Sequence, residues 1–524
     1  MIGVPARLIL PSTLASALRP LVLGALILCA VIGTRHFAYK LFAPQDEGIL
    51  LVYPDLILRG YLPYRDFAPL YTPGGFYLLA GLFRVFGETV SVERSLAVVY
   101  WFLIVLAIYL IGSRVSRLTA TLAATSALAY LYLFRAPGAH PHFGAFACML
   151  FSLVLASKAT IESGSVEKRA ILLAGIIAST TLWLKQDLGV IAIIATLVGI
   201  RPTNLQRVQR FLIGVAIPIT GLAIFAIFAG PKEVLDSVIL DPIRSAPGRF
   251  LPLRQSWDLD VVGTCIAVQC VIAVLIRGAQ VPSQLSWLAR SMATLSAGYS
   301  ASMLHRTSPG DIGYLGFLVV SLSVVSVSIL LQQIDMSWRH RNLALLSFFV
   351  VALAPIPIRS FEGYGDGRVR QSWISLDGRR VPYSIVEESQ NSDLQKLLND
   401  IERKSQSGEG FFVGPRDLRF ANYNDTFIYF LLPRLRPVSR YLEMNPGCAN
   451  RSDSGLTQEI SRANWLILTT RYNAWSEPNA SIVPGPEEPN TLVRNEFCLQ
   501  SHYGDWLLYR RCGPATEDQS NTSY

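Results

Sequence analysis

The chain is short of charge. Of its 524 residues only 16% are Asp, Glu, Lys or Arg, while 51% are hydrophobic. A soluble protein of this size carries about 25% charged residues. Mean hydropathy is +0.37. This composition excludes a purely soluble chain and indicates a membrane protein with some soluble mass. Nucleotide signatures are missing as well. There is no Walker-type Gly-Lys-Ser/Thr loop, and no Gly-x-Gly-x-x-Gly between a strand and a helix. A Gly-x-Ser-x-Gly elbow is also absent. A nucleotide-driven pump and a serine hydrolase therefore have no support.

Cysteine is sparse and scattered, with no spacing suited to zinc. Cys29, Cys148, Cys265 and Cys270 lie in apolar segments and read as small core residues. Cys498 and Cys512 lie within or beside two strand-like runs, which allows a cross-hairpin disulfide if that part is extracytoplasmic. Cys448 is then left over. Internal repeats are lacking, and the one biased stretch is a Pro/Glu/Asn-rich turn around 483–490.

Basic residues outnumber acids, 46 to 37. They cluster in short loops between apolar runs, which is the pattern of positive-inside topology. No basic stretch carries interleaved aromatics, so no nucleic-acid partner is expected. Apolar runs suited to spanning recur at about 20–41, 94–113, 118–134, 143–158, 170–184, 188–200, 211–229, 260–276, 291–304, 312–333 and 342–358. Arg35 and His36, with no small-residue cleavage pattern, favour a retained first helix over a signal peptide. The basic loops put the N-terminus in the cytoplasm, and about eleven helices leave the tail outside. One long helix over 170–200 would invert every later loop. Two short helices meeting at Lys185, Gln186 and Asp187 fit the charges better.

The expected fold is mainly α. A polytopic helix bundle occupies 1–358, with its first outer loop at 42–93, and an extracytoplasmic α/β domain occupies 359–524. In the loop, Ile49–Leu58 and Phe76–Phe86 read as amphipathic stretches lying along the membrane interface. In the tail, Leu394–Arg403 and Gly455–Arg462 read as helices. Gly410–Gly414 and Trp465–Thr470 read as strands. Val493–Leu499 and Asp505–Arg511 read as a closing hairpin. Four Asn-x-Ser/Thr triplets in the tail, at Asn424, Asn450, Asn479 and Asn521, matter only in a host that glycosylates them.

The most informative residues are Asp46 and Glu47, just past the first apolar run. Acids at a membrane boundary are costly unless they face water or serve a site. A carboxylate there can meet both a membrane-anchored lipid and a water-soluble acceptor, and act as general base. The plain alternative is a pair of solvated loop charges. Lys185 reads either as a snorkelling lysine paired with Asp187 or as a cation for a phosphate at headgroup depth. His305, Arg306 and Asp311 share a short loop. There, Arg306 is either a bidentate phosphate ligand or an interface anchor paired with Asp311. Arg65 and Asp66 either cap the turn set by Pro63 or touch substrate. His140 and His142 resemble metal ligands only weakly, and Arg94 marks the start of the second helix. No metal site or cofactor is indicated.

This layout resembles the GT-C class of polytopic glycosyltransferases, in particular the branch of protein O-mannosyltransferases and aminoarabinose transferases. The resemblance is carried by Asp46, Glu47 and Gly48 after the first helix. The long loop adds Pro63 to Phe67, Pro73 to Gly75, Phe86, Gly87 and Arg94. Lys185 and Gln186 stand at an outward corner. It implies a sugar donor linked to a polyprenyl phosphate, and a lipid, glycan or protein acceptor, on a cell-membrane protein of the cell envelope. It implies that Asp46 activates the acceptor with Glu47 beside it. Lys185 and, by position, Arg306 would hold the lipid phosphate, and one displacement would invert the anomeric carbon. The pattern departs where that branch often has Arg-x-Asp-x-x-His, because here Arg306 and Asp311 are spaced further apart and Tyr314 stands at the His place. The rival readings are a transporter or flippase of a lipid-linked substrate and a non-catalytic membrane scaffold.

Overall fold

The computed structural model describes residues 45–133, 138–201, 204–249, 257–275, 282–303, 316–354, 370–385, 388–421, 423–473, 477 and 479–513. The expected first helix, Cys29, the loop with His305, Arg306, Asp311 and Tyr314, and Asn521 lie outside these residues.

The apolar runs form helices. After α1 (Asp46–Leu58) and α2 (Gly74–Phe86) come α3 (Val90–Gly112), α4 (Arg117–Leu133), α5 (Pro141–Ile161), α6 (Gly164–Leu184), α7 (Gln186–Gly199) and α8 (Leu205–Ala229). A short helix α9 (Pro231–Leu235) leads through a π turn (Asp236–Leu240) into α10 (Asp241–Arg249). Then follow α11 (Trp257–Leu275), α12 (Ser283–Met303), a π turn (Gly316–Val320) running into α13 (Ser321–Leu331), and α14 (Trp338–Leu353). Among the described residues α3, α5 and α8 are long and apolar enough to cross a membrane. Helix α8 leaves Leu212, Ile213, Ile217, Ile224, Ile227 and Phe228 exposed along its length, the face expected of a helix against lipid. Its other side meets α6 closely, because a Cβ on Gly175 would fall 2.3 Å from the Phe211 carbonyl and one on Gly214 the same distance from that of Leu172. Small residues at helix contacts are the membrane substitute for a hydrophobic driving force.

The chain breaks between α6 and α7. Lys185 is extended (φ −156°, ψ 119°), and Gly189 comes so near Leu182 that a Cβ would lie 2.7 Å from the Leu182 amide nitrogen. In a continuous helix, residues seven apart are separated by about 10 Å. The stretch 170–200 is therefore two helices folded back on each other.

Loops that the charges assign to the same side touch one another. At one end Arg207 pairs with Glu167 at 2.7 Å, and Gln332 donates to the Val115 carbonyl at 3.4 Å. At the other end Gln186 donates to the carbonyls of Leu70 (3.2 Å) and Val238 (3.0 Å). The first loop, the Lys185 corner and the π turn before α10 thus share one end.

The C-terminal part sits on that end. It contains a hairpin of β1 (Arg370–Leu376) and β2 (Arg379–Ile385), helix α15 (Glu388–Lys404), and a five-stranded sheet. The strands are β3 (Gly410–Pro415), β4 (Arg436–Pro437), β5 (Trp465–Thr469), β6 (Phe497–Tyr503) and β7 (Trp506–Arg511), in the order β4-β3-β5-β7-β6. Strands β3, β4 and β5 are parallel, and β5, β7 and β6 antiparallel. Short helices α16 (Phe427–Leu431), α17 (Leu456–Ile460) and α18 (Glu488–Glu496) fill the connections. The closing hairpin begins at Phe497 rather than Val493, because Pro489 in the first turn starts a helix that runs to Glu496. Cys498 and Cys512 form a disulfide. Cys448 is a free, buried thiol whose Sγ lies 3.4 Å from the Asp241 carbonyl.

One expectation about the first loop fails. Ile49–Leu58 does not lie on an interface. Every residue of α1 from Glu47 to Leu56 is buried, because the C-terminal part covers the face the bundle leaves open. The Gln45 amide donates to the Glu443 carbonyl at 2.8 Å, Arg59 to that of Leu435 at 3.0 Å, and the Ala68 N–H to that of Arg440 at 2.9 Å. Helix α2 does expose Leu78, Val85 and Phe86.

Gly48 is the tightest point of this contact. A Cβ there would lie 2.7 Å from the Phe427 amide nitrogen and 3.1 Å from the Thr426 Cβ. Backbone cannot yield as a flexible side chain can. Gly48→Ala should cost about 1–3 kcal/mol and loosen the C-terminal part. Limited proteolysis of the detergent-solubilised protein should then cut that part faster than in the wild type.

Candidate functional site

Helix α1 starts with two acids in opposite surroundings. Asp46 is exposed and Glu47 is buried. The Glu47 carboxylate accepts from Arg94 Nη2 at 2.9 Å, and both side chains are almost fully buried (1% and 3% exposed). The neighbouring Glu93 is buried and accepts from the Ala139 N–H. Two acids and one guanidinium thus share a buried site where α1, α3 and the loop before α5 meet. Desolvation of each ion costs several kcal/mol, so removing one partner is far worse than the pair is good. Burial pushes the Glu47 carboxyl up to about 7 against the pull of Arg94, and Asp46 adds to the rise. Glu47 Oε1 finds no hydrogen-bond partner among the described residues.

The second cluster is the Lys185 corner. Lys185 Nζ lies 3.3 Å from Asp187 and 5.5 Å from the centroid of the Tyr71 ring. Tyr71 packs on Phe76, and Phe76 on Tyr53 of α1 (centroids 6.5 and 5.0 Å apart). A ladder of rings therefore joins the corner to the helix that carries Asp46 and Glu47. Beside the corner lies a cavity of about 490 Å³ among α2, α3, α5, α6 and α8. Leu78, Leu103, Ala147, Trp183, Leu184 and Pro218 line it, so its wall is apolar up to the residue before Lys185.

Arg65 and Asp66 are engaged with each other, at 2.9 and 3.1 Å, and Asp66 also accepts the Leu62 N–H at 2.7 Å. Burial alone would raise the Asp66 carboxyl, but the bonds from Arg65 and Leu62 outweigh it and hold it below the usual carboxylate range. The pair closes a turn in which Tyr64 has φ +73°. His140 and His142 stack in parallel with centroids 5.2 Å apart. Of the glycosylation triplets, Asn424 is closed to modification in the folded chain. Its amide is buried and donates to the carbonyls of Val413 and Leu442.

Sequence reasoning undervalued Glu93 and Arg94. The available signal was two adjacent charges inside the start of an apolar helix, where ions are kept for a reason. It also missed the C-terminal side of the site, where Thr426 and Phe427 lie against Gly48.

No protein-family model matches the sequence, and no curated protein does. The fold is that of ArnT from Cupriavidus metallidurans. ArnT bound to undecaprenyl phosphate matches with a TM-score of 0.56 and 11% identity, over 96% of this chain and 100% of that one. The apo state matches with a TM-score of 0.54 and 10% identity over the same shares. Arabinosyltransferase EmbB from Mycobacterium smegmatis matches with a TM-score of 0.40 and 18% identity, over 62% of this chain and 32% of that one. The likeness to ArnT extends over nearly the whole of both chains and is one of fold.

Glu47 makes stability depend on pH in a definite direction. Its folded value lies above the ordinary 4.5. The stabilisation is therefore complete below about 4.5 and is lost as pH rises towards 7. Glu47→Gln, which can still accept from Arg94, should remove on the order of 3 kcal/mol of this loss. Thermal unfolding of both proteins in detergent across pH 4.5–8 should show the wild type falling relative to the variant. Parallel curves would place the ionised carboxylate at no cost in that site.

Proposed function

We propose that the chain is an integral membrane glycosyltransferase acting on the extracytoplasmic face, with its N-terminus in the cytoplasm. It moves a sugar from a polyprenyl-phosphate-linked donor to an acceptor in one displacement. The observation that carries this reading is the placement of Asp46. It is an exposed carboxylate at the head of a helix buried from Glu47 to Leu56, on the end of the bundle that also holds Lys185, in a fold shared with a protein solved with undecaprenyl phosphate.

The chemistry follows from these positions. The acceptor oxygen attacks the anomeric carbon while its proton passes to Asp46. The bond from that carbon to the phosphate oxygen breaks, and the oxygen leaves with the electron pair. Attack opposite the leaving group inverts the carbon. The negative charge gathering on the departing phosphate needs a fixed cation, and Lys185 supplies it, held at the ring of Tyr71. The apolar cavity beside the corner suits the first isoprene units of the donor. Glu47 and Arg94 act through Asp46, since their buried pair fixes the start of α1. Arg306 enters by position as a further phosphate contact, as the family resemblance implies, His305 and Asp311 as substrate-binding residues beside it in the sequence, and Arg65 and Asp66 as a loop turn near the site.

Asp46→Asn should lower turnover of a polyprenyl-phosphate sugar by roughly 10²–10⁴-fold while membrane insertion and the unfolding temperature stay near wild type. The assay is release of polyprenyl phosphate by purified protein in detergent, and near-normal turnover would remove Asp46 from the role of base. Lys185→Ala should impair the same step, whereas Lys185→Arg should retain part of it because the cation persists.

A further inference from the structure

We infer that the C-terminal part carries a saccharide-binding shelf, made by the rings of Tyr423 and Tyr472 with the Glu477 carboxylate, that receives the acceptor beside Asp46. The inference rests on the proposed function in taking Asp46 as the group that meets the acceptor.

Topology points to this place first. In the sheet order β4-β3-β5-β7-β6 the chain leaves β3 towards β4 on one side and leaves β5 towards β7 and β6 on the other. The loops beyond the carboxyl ends of β3 and β5 therefore diverge. Open sheets with parallel strands bind ligands in the crevice at such a switch point. Tyr423 lies in the loop after β3, and Tyr472 and Glu477 in the loop after β5. The two rings, one from each loop, meet at 5.8 Å between centroids, tilted by 40°.

The shelf is held from below and from the side. Asp425, fully buried, accepts from Arg471 Nη1 at 2.7 Å, from the Tyr472 hydroxyl at 3.0 Å and from Trp506 Nε1 at 2.8 Å. The Tyr423 hydroxyl donates to Glu477 Oε1 at 3.1 Å, and Asn479 donates to the other Glu477 oxygen at 2.8 Å. Both rings are half-buried, so each keeps part of its surface open. Locked side chains of this kind are what a binding site needs.

The shelf is aimed at the base. Thr426 and Phe427, three and four residues after Tyr423, form the contact with Gly48, two residues after Asp46. Burial, Glu477 and the Asp46 carboxylate raise the Tyr423 phenol, and Arg249 opposes them. Aromatic faces beside a carboxylate and an amide suit a ring with an apolar face and hydroxyls on its rim. That is a sugar, rather than a fatty chain or an extended peptide.

The test is binding without donor. The full-length wild-type protein in detergent is passed over an array of immobilised oligosaccharides. Retention on a subset is expected. Tyr423→Leu, which keeps apolar bulk without the ring, should weaken it at least about tenfold, and Tyr423→Phe should stay within a few-fold. Unfolding temperatures near wild type for both variants make the comparison valid, and Tyr472→Leu, expected to weaken retention to the same extent, offers a second entry if Tyr423→Leu does not fold. No retention of any saccharide, or retention unchanged by Tyr423→Leu, would overturn the shelf. Since no donor is present, a failure of sugar transfer in the same preparation would count against the proposed reaction and leave this result standing.

Discussion

Helix α1 is held by buried charge at both ends, and the arrangement of the site depends on it. Glu47, at its start, is neutralised by Arg94 from the bundle. Asp55, at its end and 1% exposed, is neutralised by Arg379 from the β1–β2 hairpin at 2.9 Å and approached by Arg59. Arg379 also reaches Glu88, between α2 and α3, and donates to the Phe430 carbonyl. Each acid therefore draws its counter-charge from a different body. A slip of the helix by one residue would strand an ion in a dry place, at a cost of several kcal/mol. Such pairs add little net stability but penalise every alternative register, and register decides where Asp46 points.

The aromatic residues extend this fixed helix to the Lys185 corner. Tyr53 stacks on Phe67 at 4.9 Å and meets Phe76 edge-on, while its hydroxyl lies 3.4 Å from Glu443 of the C-terminal part. Through Phe76 and Tyr71 the same packing ends at Lys185. Close-packed rings transmit position because they have few rotamers and little free volume. Asp46 and Lys185 are thus set on one packed frame although they come from opposite ends of a stretch of about 140 residues.

Much of this frame was legible in the sequence. The runs after residue 90 became helices because length and hydropathy alone decide that in an apolar solvent, where every backbone group must bond within its own segment. The break at Lys185 was legible because Lys, Gln and Asp together cannot sit in hydrocarbon. The covering of α1 was not. Asp-Glu-Gly-Ile-Leu-Leu-Val-Tyr-Pro-Asp has the look of a helix floating at an interface, and periodicity reports only that a face is apolar, not that a second body covers it. The one available hint was Asp55, an acid inside an apolar run. Its partner Arg379 is 324 residues away, and no local pattern connects the two. The late start of β6 was missed for a simpler reason: Pro489 and the acids around it are helix-start signals in a stretch dominated by turn residues.

The C-terminal part is more than an appendage on this reading. A bundle with an exposed acid and a cation can break a sugar–phosphate bond, but water is always available as the acceptor. Discrimination against water requires groups that order another hydroxyl next to the base before the bond breaks. Among the described residues that end of the helices offers few candidates, because Glu47, Glu93 and Arg94 are buried in one another's company. The loops after β3 and β5 provide such groups, and they are tied to Asp425 through three hydrogen bonds and to α1 through the backbone contact at Gly48. Transfer rather than hydrolysis is then a property of the contact between the two parts, and the absence of a side chain at residue 48 is what lets that contact form.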